Sequence, residues 1–525
     1  MPASQPRSRA LILAALLLAA FAVNVDTTIV NVALPTLVRE LHASNSQLQW
    51  IVDAYNLVFA ALILAAGSLS DRLGRKGMLL AGLAVFGVAS VVGGFVTDTG
   101  ELIATRAVMG LGAAMVFPAT LSLISNVFTE RGERARAIGL WGATAGVAIA
   151  LGPIVGGWLL ERFSWSAIFF AMTPIAALGA LLVARAVPSS RDPHAPRLDR
   201  AGFALSTAAM AALIYTIIEA PNHGWSSARS VAGFALALVL FAGFVAVERR
   251  SDAPMLDIRL FSNPRFTAAS ASVTVAFFSL FGFIFLMTQY FQFIKQYGPL
   301  SAGVHLLPVA TSVGVASVIG TKLAVRFGTK LVVTVGLVMV AAFYLWVAAV
   351  VAPTTGYATI AAQMVLYGIG MGLTSAPATE AIMGAVSNEK AGVGSAVNDA
   401  TRLLGGTLGV AVIGSVYASI FASRLDARLP SHLPASLVGL AHSSVGSALG
   451  VAHQLAAAGS ARLGGGVARA ASSSFIDGLS LGCLVAAGVA IAGAAMAAAL
   501  LPSFPAEQAT GPSAAPEALA AGATP

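Results

Sequence analysis

Three ionisable residues sit where ionisable residues are expensive. Asp26, Asp53 and Arg106 each interrupt a long apolar run, and a charge at membrane depth costs about 2.5–3.5 kcal/mol or more. Asp26 lies 7 residues from the outer end of its run, Asp53 lies 6 and Arg106 lies 5. At about 1.5 Å per helical residue, all three share a depth of roughly 8–10 Å below the outer surface. Arg106 is expected to pair with one or both carboxylates. Two acids competing for one guanidinium cannot both be held as anions, so one should take up and release a proton in the working range. The expectation is that Asp26 carries the proton, Arg106 modulates it and Asp53 is a lesser partner. The blander alternatives are a structural ion pair for Asp26 and a seat in a water-filled outer mouth for Asp53. A second set, Glu380, Asp399 and Arg402, follows later in the chain. Asp399 and Arg402 stand three apart on one helix face, close enough to pair. That reads first as a structural pair, and second as cation recognition or gating between two halves.

The elements that must position these groups are apolar helices. Of 525 residues 57% are hydrophobic and only 10% charged, against about 25% charged in a soluble domain. A single cysteine, Cys483, excludes an intrachain disulfide framework. Spanning roughly 30 Å of hydrocarbon takes about 20 mainly apolar residues. Fourteen such runs lie near 10–33, 47–67, 77–97, 101–124, 135–159, 165–187, 200–219, 229–247, 267–292, 302–323, 330–351, 356–384, 391–421 and 475–501. Helices are the only sensible form, because open strands in lipid leave backbone groups unpaired. Arg7 and Arg9 followed by an apolar stretch resemble a cleavable leader, but the run continues to Leu34 with Asp26 inside it. With fourteen spans, 20 of the 30 Lys and Arg fall on the side of the termini and 8 on the other, with Arg106 and Arg402 inside spans. Both termini are therefore expected in the cytoplasm. The net charge of +8 is spread over short loops, which speaks for a bilayer as partner and against nucleic acid.

The chain repeats itself. Arg72-Leu73-Gly74-Arg75-Lys76 returns as Arg326-Phe327-Gly328-Thr329-Lys330, an offset of 254, and Pro118-Ala119-Thr120 returns as Pro377-Ala378-Thr379, an offset of 259. Two near-equal offsets divide the chain into a cytoplasmic N-terminus (1–9), a six-helix bundle (10–187), a linker with two extra spans (188–266) and a second six-helix bundle (267–501). A long outer loop at 422–474, with a helix near 435–457, interrupts the second bundle. A Pro/Ala/Gly tail at 502–525 is expected to be disordered. Transporters built from paired repeats hold substrate between the halves.

Several segments are similar to a known superfamily. Gly67-Ser68-Leu69-Ser70-Asp71-Arg72-Leu73-Gly74-Arg75-Lys76 resembles the loop signature of the major facilitator superfamily, which acts there as a latch on one access state. Its second copy has Val325 where Asp71 would be. Asp26 to Pro35 resembles the first-helix signature of the fourteen-span drug:proton antiporters, the EmrB/QacA type. Leu102 to Ala114, with Arg106, Gly110 and Gly112, resembles the fourth-helix motif of proton-coupled members. Gly142, Gly146, Gly152, Pro153, Gly156 and Gly157 resemble the antiporter motif, where small residues let helices approach closely. The resemblance implies an all-α fold of two six-helix bundles plus two inserted helices. It also implies proton-coupled export of lipophilic, often cationic, small molecules by a monomer in the inner membrane. An exporter of an endogenous metabolite, lipid or siderophore is the other reading.

Other chemistries fit poorly. Gly478-Leu479-Ser480-Leu481-Gly482 satisfies G-x-S-x-G, but inside an apolar helix with no preceding strand. No histidine lies deep in a span to serve as a base, and no phosphate-binding lysine loop is present. No enzyme activity, cofactor or metal is expected. The aromatic run Phe277, Phe278, Phe281, Phe283, Phe285, Tyr290, Phe291 and Phe293 circles its helix. Such rings suit flat cations, though many are expected to face lipid or neighbouring helices.

Overall fold

The computed structural model describes residues 6–191, 199–251, 254, 256, 258–386 and 391–503. The expected disordered tail, from 504 onward, lies outside the described residues, as do the first five residues, Arg197 and Lys390.

The helices run as α1 (Pro6–Leu41), α2 (Asn45–Leu73), α3 (Arg75–Phe95), α4 (Thr99–Val127), α5 (Arg131–Arg162), α6 (Ser166–Ala186), α7 (Arg200–His223) and α8 (Ala228–Arg250). After a short 3-10 turn come α9 (Pro264–Gln289), α10 (Pro299–His305), α11 (Leu307–Phe327), α12 (Thr329–Val350), α13 (Tyr357–Gly384) and α14 (Ala391–Asp426). The chain ends in α15 (Ala435–Ser443), α16 (Val445–Ala457) and α17 (Ala461–Leu500). Among the described residues thirteen helices are long and apolar enough to cross a membrane, or fourteen counting α2, which bends by 53° between Ile63 and Ala65. Every run expected from the sequence has its helix. Their starts follow local chemistry: a capping box of Ser44 and Gln47 opens α2, and Asp98 accepts the first amides of α4.

Helices α1–α6 pack on one another, and α9, α11–α14 and α17 form a second group. The inserted α7 lies across α2 and α14, one from each group, while α8 packs on α7. An apolar cluster of Leu57, Ile214, Ile217, Ile218 and Ala411 fills that junction. Of the aromatic run, Phe278, Phe281, Phe283 and Phe285 of α9, and Tyr290, Phe291 and Phe293 in the π-helical turn that follows it (Tyr290–Ile294), are buried, while Phe277 is half-buried.

Among the described residues, the contacts between the two groups gather toward one end. We call the end bearing Arg9, Arg75 and Leu500 the basic end, and the other the far end. In the far halves, Gln292 Nε2 donates to Val32 O at 2.8 Å and Ser415 Oγ donates to Gln49 Oε1 at 3.3 Å. A methyl group on Gly157 would come within 2.5 Å of Leu300 Cα, and one on Gly303 would strike Pro153 O. In the basic half of α5, Gly139, Gly142 and Gly146 have nothing beside them within 4 Å, and neither has Gly314 on α11. The molecule is closed at the far end.

The segment 422–474 carries the helix expected near 435–457, as two short helices, and is more helical at its ends than the expected loop. α14 continues to Asp426 and α17 begins at Ala461, with α15 and α16 between them. Residues 435–501 contain no proline, so a stretch rich in Ala, Ser and Gly remains free to be helical. Gly446 of α16 seats against Val38 and Phe293, covering both groups where they touch.

Candidate functional site

Asp26 and Arg106 meet where α1, α2 and α4 converge. Arg106 Nη1 lies 2.5 Å from Asp26 Oδ2, and both side chains are 1% exposed. Arg106 Nε donates to Ile51 O at 3.0 Å, and its guanidinium lies 4.3 Å over the ring of Tyr55. Tyr55 in turn donates its hydroxyl to Val23 O at 3.1 Å. α4 can come this near α2 because position 110 is glycine: a Cβ there would sit 2.5 Å from Tyr55 O. A buried charge needs a partner and further hydrogen bonds to be tolerated, and Arg106 has all of them.

Asp53 departs from expectation. It is 0% exposed, and neither carboxylate oxygen has a hydrogen-bond partner. It does not pair with Arg106, although Ile51 and Tyr55 on the same helix do touch it. The reason is helical periodicity: two residues turn a side chain by about 200°, so Asp53 points away from α4. Equal depth along the helices did not mean a shared site.

The second set also differs. Arg402 forms no ion pair with Asp399; its Nη2 donates to Thr379 Oγ1 at 3.1 Å, and its guanidinium lies 5.2 Å over Phe277. Its Nε is buried without a partner. Glu380 is exposed near the basic end of α13.

The loop motif ties the α2–α3 turn to its own group of helices. Gly74 takes φ +120°, a backbone conformation suited to glycine. Arg75 Nε pairs with Asp71 Oδ1 at 2.7 Å, and Lys76 Nζ donates to Ala184 O at 2.8 Å. Gly67 lies against Pro118, and Arg72 belongs to the last turn of α2. The amide of Arg75 donates to Ser190 O at 2.9 Å; at the second copy, the amide of Thr329 donates to Ser503 O at 2.8 Å. The antiporter motif divides. Gly152 and Gly156 seat α5 on Thr28 and Ile29 of α1, and Pro153 and Gly157 seat it on α10, but Gly142 and Gly146 pack on nothing here. Close packing was expected of all of them; the two lie in the half of α5 where the groups have parted. Gln49 and Gln292 escaped the sequence reading, although buried amides near the ends of apolar runs carry a signal of their own.

The Major Facilitator Superfamily profile matches residues 16–410. The chain belongs to that superfamily. It is 36% identical over 484 residues to the multidrug efflux pump LfrA of Mycolicibacterium smegmatis, covering 92% of this chain and 94% of that one. It is 35% identical over 393 residues to the methylenomycin A resistance protein of Streptomyces coelicolor, covering 75% of this chain and 82% of that one. Among solved structures, an inward-facing bacterial homologue of the human lysosomal transporter Spinster superposes with a TM-score of 0.66 at 16% identity, covering 95% of this chain and all of that one. The superfamily consists of multi-pass membrane transporters rather than enzymes. Ser480, the centre of the G-x-S-x-G match, donates to Ala348 O at 3.0 Å as an ordinary helix contact.

Proposed function

We propose that this chain exports lipophilic, often cationic, small molecules in exchange for protons, by alternating access between its two helix groups. The carrying observation is the buried Asp26–Arg106 pair, 1% exposed, beneath the closed far end. A carboxylate in such a place can exchange its ionic partner for a proton, and doing so changes the net charge of a site that water reaches from one end at a time. The names of the relatives as multidrug pumps and resistance proteins support the substrate class. The excess of Lys and Arg at the basic end supports a cytoplasmic location for both termini, so the conformation seen here opens to the cytoplasm. Asp26 carries the proton in this reading, with Arg106 setting its affinity, and the bilayer concerned is the cell membrane. Each charge moved along a 100 mV potential gains about 2.3 kcal/mol.

The test is a fluorescent lipophilic cation in proteoliposomes with an imposed pH difference. Wild-type protein should concentrate the dye, and Asp26→Asn should lose proton-driven accumulation. Accumulation that persists after the pH difference and voltage are both collapsed refutes proton coupling. A susceptibility panel in a pump-deleted host then defines the range of cargo.

A further inference from the structure

Asp53 stands on the seam between the two helix groups. On α2, Gln49 and Leu57 lie one turn to either side of it: Gln49 lies against Gly414 and Ser415 of α14, and Leu57 joins the apolar cluster that unites Ala411 of α14 with Ile214, Ile217 and Ile218 of α7. Residues four apart share a helix face, so Asp53 lies on the face of α2 turned to α14 and α7, away from α4. The opposite flank of α2, through Ile51, Tyr55 and Phe59, faces α4. The part of α14 bracketed by these contacts offers small or apolar side chains and no donor: Ala411, Val412, Ile413 and Gly414.

Among the described residues of the helices packed on α2, no cation is at hand. On α4, Arg106 is engaged with Asp26 and Ile51 on the other side of α2, and Glu101 lies at the far end. On α14 the charged residues are Asp399 and Arg402 toward the basic end, and Arg424 and Asp426 at the far end. α7 brings only Arg200, Glu219 and His223. α1 contributes Asp26 in mid-helix, with Arg9, Arg39 and Glu40 at its ends, and α3 contributes Arg75 and Lys76 at the basic end. A carboxylate buried with neither a hydrogen-bond donor nor a cation is not tolerated as an anion, and Asp53, both oxygens unpartnered, is 0% exposed on the helix that packs against α14 across the seam.

We propose that Asp53 is the acid that ties protonation to closure of the far end: neutral, it lets α2 seat on α14, and as an anion it forces the two apart. This rests on the proton-coupled reading above and gives it a mechanical step. With the far end open, water reaches Asp53 and a proton binds. The neutral acid is then compatible with apolar contact, and the far end closes. Loss of that proton toward the basic end leaves an unpaired anion in the seam, and the seam opens. Asp26, inside one group of helices, is not placed to do this.

The experiment measures far-end separation by spin labels on Glu101→Cys of α4 and Ala358→Cys of α13, both at exposed far-end positions, in full-length protein from about pH 5 to 9. The distance should lengthen as pH rises. Asp53→Asn, and independently Asp53→Ala, should hold the short distance across the range, whereas Asp26→Asn should still respond to pH. If both Asp53 variants keep the wild-type lengthening, or if wild-type protein drives proton-dependent dye accumulation with a distance indifferent to pH, this proposal is wrong and proton coupling stands. If wild-type dye accumulation is itself indifferent to protons, the earlier reading fails and takes this one with it.

Discussion

Removing either half of the Asp26–Arg106 pair should have unequal consequences. Asp26→Asn keeps the shape of the side chain but strips the charge that neutralises Arg106, which is 1% exposed. A guanidinium cannot shed its proton, and breaking a buried pair from one side typically costs about 3–5 kcal/mol. The asparagine carbonyl can still accept from Nη1, which places the loss near the lower figure, roughly a hundredfold in the folding equilibrium. Arg106→Met leaves the opposite orphan. A carboxyl can take a proton and become neutral, so its cost should fall as pH is lowered and should stay below that of Asp26→Asn at pH 5. The double variant removes both charges and should lose less than the sum, with a coupling of about 2–3 kcal/mol. Reversible unfolding in mixed micelles at pH 5 and pH 8 measures all four proteins. Equal, additive and pH-independent losses would show that the pair is not a buried electrostatic unit, and the coupling argument built on it would fail.

Three further outcomes follow from the packing. Gly157→Ala inserts a carbon 2.5 Å from Leu300 Cα; overpacking of about 1–3 kcal/mol falls only on the far-end-closed state, so far-end spin-label distances should lengthen by a population shift of at least fivefold. Tyr55→Leu removes the ring 4.3 Å beneath Arg106 and should cost about 0.5–2 kcal/mol of unfolding free energy, whereas Tyr55→Phe keeps the ring, loses only the hydrogen bond to Val23 and should cost less. Asp71→Asn breaks a pair whose side chains are 33% and 17% exposed, worth under about 1 kcal/mol; melting should be unchanged within error, and a large drop in transport would mark a role in switching.

The spans were legible because membrane depth imposes a simple rule: about 20 apolar residues with the backbone satisfied internally. Arg106 and Asp26 were legible for the related reason that charge in lipid requires a partner. What the chain could not announce was direction around each helix. Asp53, Ile51 and Tyr55 lie within five consecutive positions, yet Ile51 and Tyr55 meet Arg106 of α4 while Asp53 lies on another face of the helix without a partner. Knowing this requires knowing which neighbour lies on which side, and that is set by packing far away in sequence. Asp399 and Arg402 teach the same lesson at closer range: one helix face permits a pair, but Thr379 and Phe277 on adjacent helices claim the guanidinium. Gly142 and Gly146 were expected to pack and do not, because closeness between moving bodies belongs to a conformation rather than to a residue type.

The paired backbone bonds of Arg75 to Ser190 and Thr329 to Ser503 carry a consequence for movement. Each buckles the strand of chain leaving the last helix of a bundle to the hairpin between that bundle's second and third helices, so each half is belted by its own sequence. A body belted in this way swings without coming loose inside. The pivot is left to the contacts between halves, where buried amides, closely seated glycines and an apolar junction must let go.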